Sequence, residues 1–214
     1  MTAKAAEQKP PETAWDSDPD VELMKKVRAG DAQSFRQLFS KYSHALVNFT
    51  FRFVGNRERA EELAQDTFLQ IFRARKRYEA RAKFATYLYR VATNLCLNEL
   101  RRFDYQGKLE PLEGTPGDEE EEAFREFADE RLPSSEEHVA GLETSARIDK
   151  ALRALPPNQK SALLLSRVEG FSYQEVAECL ETSESAVKSL IFRATQTLRE
   201  RLKDLVREKH SDDK

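Results

Sequence analysis

Apolar and polar positions alternate at helical spacing across GFSYQEVAECLETSESAVKSLIFRA, residues 170–194, and the pattern divides into two helices joined by a short polar turn. Ser172 followed by Glu175 forms a capping-box signature, so a helix is predicted to begin there with Val176, Ala177 and Leu180 on its apolar face. The ETSES run, 181–185, interrupts the pattern, and Ser183 is placed to cap a second, longer helix. That helix carries a stripe of Val187, Leu190, Ile191, Ala194, Leu198 and Leu202. A short helix, a tight turn and a longer helix make the layout of a helix-turn-helix, whose second helix enters the DNA major groove.

On the face opposite this stripe lie Ser185, Ser189, Phe192 and Gln196, flanked by Lys188 and Arg193. Hydroxyls, an amide and cationic heads are the groups that meet phosphates and base edges. Small side chains at the helix start, Ser185 and Ala186, let a backbone approach DNA closely. Ser172, Tyr173, Gln174 and Ser183 complete the surface expected to touch duplex. The bland alternative is an amphipathic helix with a solvated face, and the motif alone says "DNA" and no more.

Helical spacing also dominates 21–103. Leu23, Met24 and Val27 open one helix, Gly30-Asp31 breaks it, and Phe35, Leu38, Phe39 and Tyr42 line the next. LVNFTFRFV, 46–54, alternates like a strand, but a lone strand would have no partner, so it reads as buried helix. Asn56 is a cap for the helix bearing Ala60, Leu63, Ala64, Phe68, Ile71 and Phe72. The fold class is therefore all-α: two small helical bundles, 21–103 and 142–206, with Pro156-Pro157 at a helix boundary in the second. The Gly- and Pro-bearing stretch 104–141 is expected to be a flexible acidic linker, 1–20 a disordered tail and 207–214 a charged, frayed end.

A second polar surface is predicted on FATYLYRVATNLCLNELRR, 84–102, where Phe84, Leu88, Val91 and Leu95 are expected to be buried. Tyr87, Arg90, Asn94 and Arg101 share one stripe beside that face, with Asn98 between stripe and core. An aromatic ring, guanidiniums and amides in line suit unpaired bases, because rings stack on bases and arginines neutralise phosphates. The loop before it adds a positive field, with Arg73, Arg75, Lys76, Arg77, Arg81 and Lys83.

The overall charge of −3 conceals a segregation. Between Glu110 and Glu143, thirteen acids face two arginines, a balance of −11, which leaves +8 for the rest of the chain. Such blocks mark contact with nucleic acid on one side and a basic partner on the other. Cys96 and Cys179 stand far apart without neighbouring ligands, which suits a reduced, cytoplasmic protein and implies neither disulfide nor metal. His44, His138 and His210 are scattered. No cofactor is implied, and no apolar run is long enough to span a membrane.

EELAQDTFLQIFRARKRY (61–78), FATYLYRVATNLCLNELRR (84–102) and LRALPPNQKSALLLSRVEGFSYQEVAECLETSESAVKSLIFRATQTLRERL (152–202), in this order and spacing, closely resemble bacterial sigma factors of the extracytoplasmic-function group. The resemblance implies that 21–103 is the second conserved sigma region and 142–206 the fourth. Glu61, Glu62, Gln65, Asp66, Phe68, Leu69 and Phe72 would then dock on the clamp coiled coil of core RNA polymerase. Arg81, Lys83, Tyr87, Arg90, Asn94, Asn98 and Arg101 would hold the melted minus-ten element, one base flipped into a pocket. The helix from Ser183 would read the minus-thirty-five element as duplex, and the linker would pass near the RNA exit path. Family habit adds a cognate anti-sigma protein.

Several positions depart from the family pattern. Tyr87 stands where the family usually has Trp, and Asn98 where it often has Asp. Ser185-Ala186 replaces the usual Gly-Thr, and Leu190 and Thr195 replace arginines of the recognition helix. The rival reading is a stand-alone helix-turn-helix regulator, against which the basic stripe beside Tyr87 speaks. An enzyme is a poor fit, since the consecutive acids Glu119–Glu122 cannot all converge on one metal site.

Overall fold

The computed structural model describes residues 15, 17–109, 144 and 147–203, and every regular element among them is helical. The expectations for the acidic stretch from 110 to 141 and for 207–214 lie outside the described residues.

Helix α1, Pro19–Ala29, starts where local chemistry dictates: Asp18 caps it by accepting from the Asp20 amide, and Pro19 occupies the first turn. Residues 18–20, assigned to the tail from sequence, therefore belong to the fold, and Asp20 is buried beneath Tyr42 and Lys41. The other oxygen of Asp18 accepts the Phe84 amide at 3.0 Å, so one carboxylate starts two helices. Asp31 caps α2, Ala32–Val54, and Asn56 caps α3, Arg57–Ala74, both as their sequence positions suggest. Gly55 separates these helices at φ +74, a left-handed conformation that favours glycine. A 3-10 turn, Arg75–Arg77, follows α3, and α4 then runs from Phe84 to Leu109, beyond the expected end near Arg102.

The strand-like LVNFTFRFV is helical, with Phe49, Phe51 and Phe53 all buried within α2. Around it pack Met24 and Val27 of α1, Leu63, Phe68 and Ile71 of α3, and Phe84 and Leu88 of α4. Arg59 grips Glu99 through two bonds, 2.7 and 2.8 Å, tying α3 to α4 and holding the Glu99 carboxyl below its usual range.

The second group comprises α5, Pro157–Arg167, α6, Tyr173–Cys179, and α7, Glu184–Arg201. Ser172 and Glu175 form the full capping box, and Ser183 caps α7 through the Ala186 amide. A cap of this kind is worth about 1 kcal/mol, a large share for a helix as short as α6. Between α6 and α7 the chain turns at Glu181, φ 51, with the Thr182 amide bonded to the Ala177 carbonyl. Leu164, Leu165, Val176, Val187, Ile191 and Ala194 make the interior of this group.

The two groups also pack on each other, which the sequence did not suggest. Helix α6 lies along the first turns of α4, and Lys160 of α5 reaches the Phe53 carbonyl of α2 at 3.4 Å. The buried residues of both groups form one continuous cluster. This second layer changes which side of α4 is buried. Phe84, Leu88, Ala92 and Cys96 are inside together with Tyr89 and Thr93, whereas Val91 and Leu95, expected to be core, are only half-buried. Among the described residues no helix is long and apolar enough to cross a membrane, and no group of His, Cys, Asp and Glu is arranged to hold a metal ion.

Candidate nucleic-acid interface

Three surfaces carry the residues singled out from sequence. The first is the outer side of α4 with the loop before it. Asn94, Asn98 and Arg101 are exposed in line, and Arg101 donates to the Asn98 side chain at 3.4 Å. Asn98 thus belongs to the stripe itself rather than to the ground between stripe and core. Tyr87 and Arg90 are half-buried, the guanidinium 5.6 Å from the ring centre. Behind Tyr87 stands Tyr78, ring centres 5.3 Å apart, and burial raises both phenols, Tyr78 to about 12. Both rings therefore stay neutral at physiological pH.

These rings form one wall of a cleft of about 590 Å³ that also receives Arg81, Thr86, Arg90 and Glu178. Its mixture of rings and guanidiniums suits stacking on a base and pairing with a phosphate. The loop residues meet it unequally. Arg81 is exposed and paired with Glu79 at 2.6 Å, whereas Lys83 is drawn across to Glu175 of α6 at 2.9 Å.

The second surface is α7. Ser185, Lys188, Ser189, Phe192, Arg193 and Gln196 are all exposed, Phe192 most of all at 69%. Ala186 is half-buried, and Ser183 is exposed with its hydroxyl engaged by the Ala186 amide. The Ser189 hydroxyl bonds the Ser185 carbonyl one turn back, at 3.0 Å, so it meets a ligand only by sharing or leaving that bond. Leu190 packs half-buried against the core, and the Thr195 hydroxyl is turned onto the Ile191 carbonyl. The positive groups on this outer face are thus Lys188 and Arg193. Ser172 and Gln174 are exposed at the start of α6, with Tyr173 half-buried beside them.

The third surface is the outer face of α3. Glu62, Gln65, Asp66 and Leu69 are exposed, and Glu61 and Phe72 half-buried. Glu61 pairs with Arg57 and Glu62 with Arg59. Phe68, expected among the docking residues, is instead buried at 3%, because its i+4 spacing from Ala64 and i−3 from Ile71 place it on the core side. Its ring supports Phe39 of α2, 4.8 Å away and 43% exposed, next to Leu69, 42% exposed. Phe39, read from sequence as lining the core, is exposed instead, with its ring resting on Phe68 of α3.

The Sigma-70 region 2 family model matches residues 38–104, and the Sigma-70, region 4 model matches residues 145–198. The RNA polymerase sigma-H factor of Pseudomonas aeruginosa is 30% identical over 189 residues, spanning 88% of this chain and 96% of its own length. The ECF RNA polymerase sigma factor SigW of Bacillus subtilis is 31% identical over 184 residues, 85% of this chain and 96% of SigW. In fold, the chain is similar to CnrH in complex with the cytosolic domain of CnrY, with a TM-score of 0.63 at 22% identity over 86% of this chain and 97% of CnrH. It is also similar to the sigma factor RpoE solved with the anti-sigma factor NepR from Bartonella quintana, with a TM-score of 0.60 at 21% identity over 80% and 98%.

Proposed function

The chain belongs to the extracytoplasmic-function group of sigma factors, and from that premise we propose that it binds core RNA polymerase, delivers it to a small set of promoters and holds the opened strand. Residues 21–103 act as the second sigma region and 142–206 as the fourth. The observation that carries the reading is the stripe of Tyr87, Arg90, Asn94, Asn98 and Arg101 along α4, outside the helix-turn-helix. A regulator that binds duplex alone has no use for such a stripe.

In this reading the cleft takes one unpaired base of the minus-ten element between Tyr87 and Arg90, while Asn94, Asn98 and Arg101 follow the strand. Lys188, Phe192 and Arg193 enter the major groove at the minus-thirty-five element, and Gln174 and Ser172 face its phosphates. Leu69, Phe72 and Phe39 form an apolar patch ringed by Glu62, Gln65 and Asp66, which suits the clamp coiled coil. The protein performs no covalent chemistry; it supplies binding energy at two places on one chain, and that linkage lets modest individual affinities suffice. RpoE is solved with the anti-sigma factor NepR, and a cognate anti-sigma protein is the expected cytoplasmic antagonist here.

The test is transcription in vitro from genomic fragments with purified core enzyme, with and without this chain. Discrete start sites that require the chain are expected, with promoter affinity falling steeply as salt is raised. Absence of any dependent start site refutes the assignment.

A further inference from the structure

Helix α1 lies ahead of residues 38–104, the stretch that the Sigma-70 region 2 model matches. It nevertheless holds both ends of the basic loop that leads into the stripe on α4. At the start of the loop, Arg28 in the last turn of α1 donates to the Tyr78 carbonyl at 3.0 Å. At its end, Asp18, the N-cap of α1, accepts the Phe84 amide at 3.0 Å with one oxygen while the other accepts the Asp20 amide. The bonded residues are 50 and 66 positions apart in sequence, so neither contact is a by-product of local geometry. Between Tyr78 and Phe84 the chain is neither helix nor strand, and it carries Arg81 and Lys83.

Helix α1 is built to serve as a brace. Its 11 residues make a rod about 16 Å long. Val21, Met24 and Val27 fix one face of it in the interior. The buried Asp20 adds bonds from Lys41 and Tyr42 of α2. The two polar contacts sit at opposite ends of this rod, so its placement sets where the loop begins and where α4 starts. Tyr78, at the held start of the loop, stands behind Tyr87 with ring centres 5.3 Å apart. Tyr87 itself lies about one helical turn past the held Phe84. Both rings that wall the cleft are therefore positioned from α1. The two bonds are internal to the first helical group and owe nothing to the second.

We infer that Asp18 and Arg28 are positioning residues for promoter opening: α1 braces the loop 78–84 at both ends and so presents Arg81, Lys83 and Tyr87 to the unpaired strand already ordered. The inference deepens the functional reading and rests on it, and it brings in a segment that precedes the matched family model. Asp18 and Arg28 act through the loop rather than on DNA. A loop that is ordered beforehand loses less conformational entropy when it captures a strand. The brace therefore acts on the opening step. It leaves the outer face of α3, which docks on polymerase, and the duplex-reading helix α7 as they are.

The test uses the full chain with core polymerase on a dependent promoter fragment carrying 2-aminopurine at an adenine of the minus-ten element. Stopped-flow fluorescence gives two quantities. The concentration at half-saturation reports docking, and the maximum opening rate reports strand capture. Arg28→Ala is expected to lower the maximum rate about tenfold, the effect of losing one hydrogen bond from a charged group, with half-saturation unchanged. Arg28 is exposed, so this change removes nothing from the interior. Arg28→Lys, which keeps a donor, is expected to restore the rate. Lys26→Ala, which removes a like charge from the same turn, is expected to match the parent protein. Asp18→Ser is expected to act as Arg28→Ala does, because serine caps a helix well but is too short to bridge to Phe84 besides. Limited trypsin digestion reads the loop without DNA: in Arg28→Ala and Asp18→Ser, cleavage after Arg81 and Lys83 is expected to be faster than in the parent protein. A parent-like maximum rate in both variants overturns the inference, as does a fall in rate that merely tracks weaker docking. So does Arg28→Lys performing no better than alanine, or unchanged cleavage of the loop. Should Asp18→Ser fail to fold, Arg28→Ala decides. Failure of the functional reading shows differently, as a parent protein that supports no start site, and the inference then falls with it.

Discussion

Replacing Tyr87 and Asn94 together with alanine is expected to cut promoter opening by about 5- to 150-fold, while polymerase association and the fold persist. The range follows from the worth of one aromatic stacking contact with a base, about 1–3 kcal/mol, with loss of the amide acting in the same direction. Asn94 is exposed, so its truncation removes nothing from the interior. Tyr87 is half-buried against Tyr78, and Tyr87→Phe, which keeps the ring and loses only the hydroxyl, is the control for packing. Permanganate reactivity of thymines in the opened region reports melting, and co-elution with core enzyme reports association. If co-elution is lost and melting follows only from that, the stripe is structural and the base-capturing role is wrong.

The second large effect concerns stability. Phe49→Ala is expected to cost about 3–5 kcal/mol, roughly a fifth or more of what a domain of this kind has in total, about 5–15 kcal/mol. Phe49 is fully buried, with its ring 5.1 Å from Phe53 and 5.0 Å edge-on from Tyr89. The surrounding helices cannot collapse into the space without shifting Tyr89, which also bonds Glu169 in the second group. Leu69→Ala, at an exposed site, should change stability by no more than about 0.5 kcal/mol. Urea denaturation of the two variants beside the parent protein makes the comparison. A Phe49→Ala loss below about 1 kcal/mol would show that the interior is far looser than its packing indicates.

Helix starts were legible in the sequence because they are local. Asp31, Asn56, Ser172 with Glu175, and Ser183 each cap a helix using groups within three residues, so no tertiary knowledge is needed to place them. The helical identity of 46–54 was legible by elimination, since alternating phenylalanines had no second strand to pair with. The side of α4 that is buried was not legible to the same degree. Spacing correctly put Phe84 and Leu88 inside, but Ala92 and Cys96 continue that face instead of Val91 and Leu95. A helix covered from two sides has no single apolar stripe, and Tyr89 and Thr86 meet residues from the far half of the chain. Phe68 and Phe39 also differ from expectation: each aromatic obeys the helical period, yet Phe68 is buried and Phe39 exposed, and spacing along one helix does not say which ring a neighbouring helix covers. The contact between the bodies had no local signature at all. Among its members are Lys83, Lys160, Cys179, Tyr89, Glu169, Phe171 and Glu175, each unremarkable in sequence.

Lys160 carries one further consequence. The residue is 2% exposed, its ammonium over the Phe53 ring and against the Phe53 carbonyl, and burial, with Arg153 nearby, pushes its pKa down to about 8 despite the opposing influence of Cys96. In water the same amine would keep its proton to about 10.4. Bringing the halves together therefore expels a fraction of a hydrogen ion, increasingly as the solution turns alkaline, and mass action then favours the joined form as pH climbs toward and beyond 8. The Glu169 carboxyl, raised chiefly by burial, exchanges in the opposite sense on the acid side. Calorimetry of the separation near pH 8 should accordingly return one enthalpy in phosphate and another in Tris, the difference being the heat of whichever buffer supplies the missing ion.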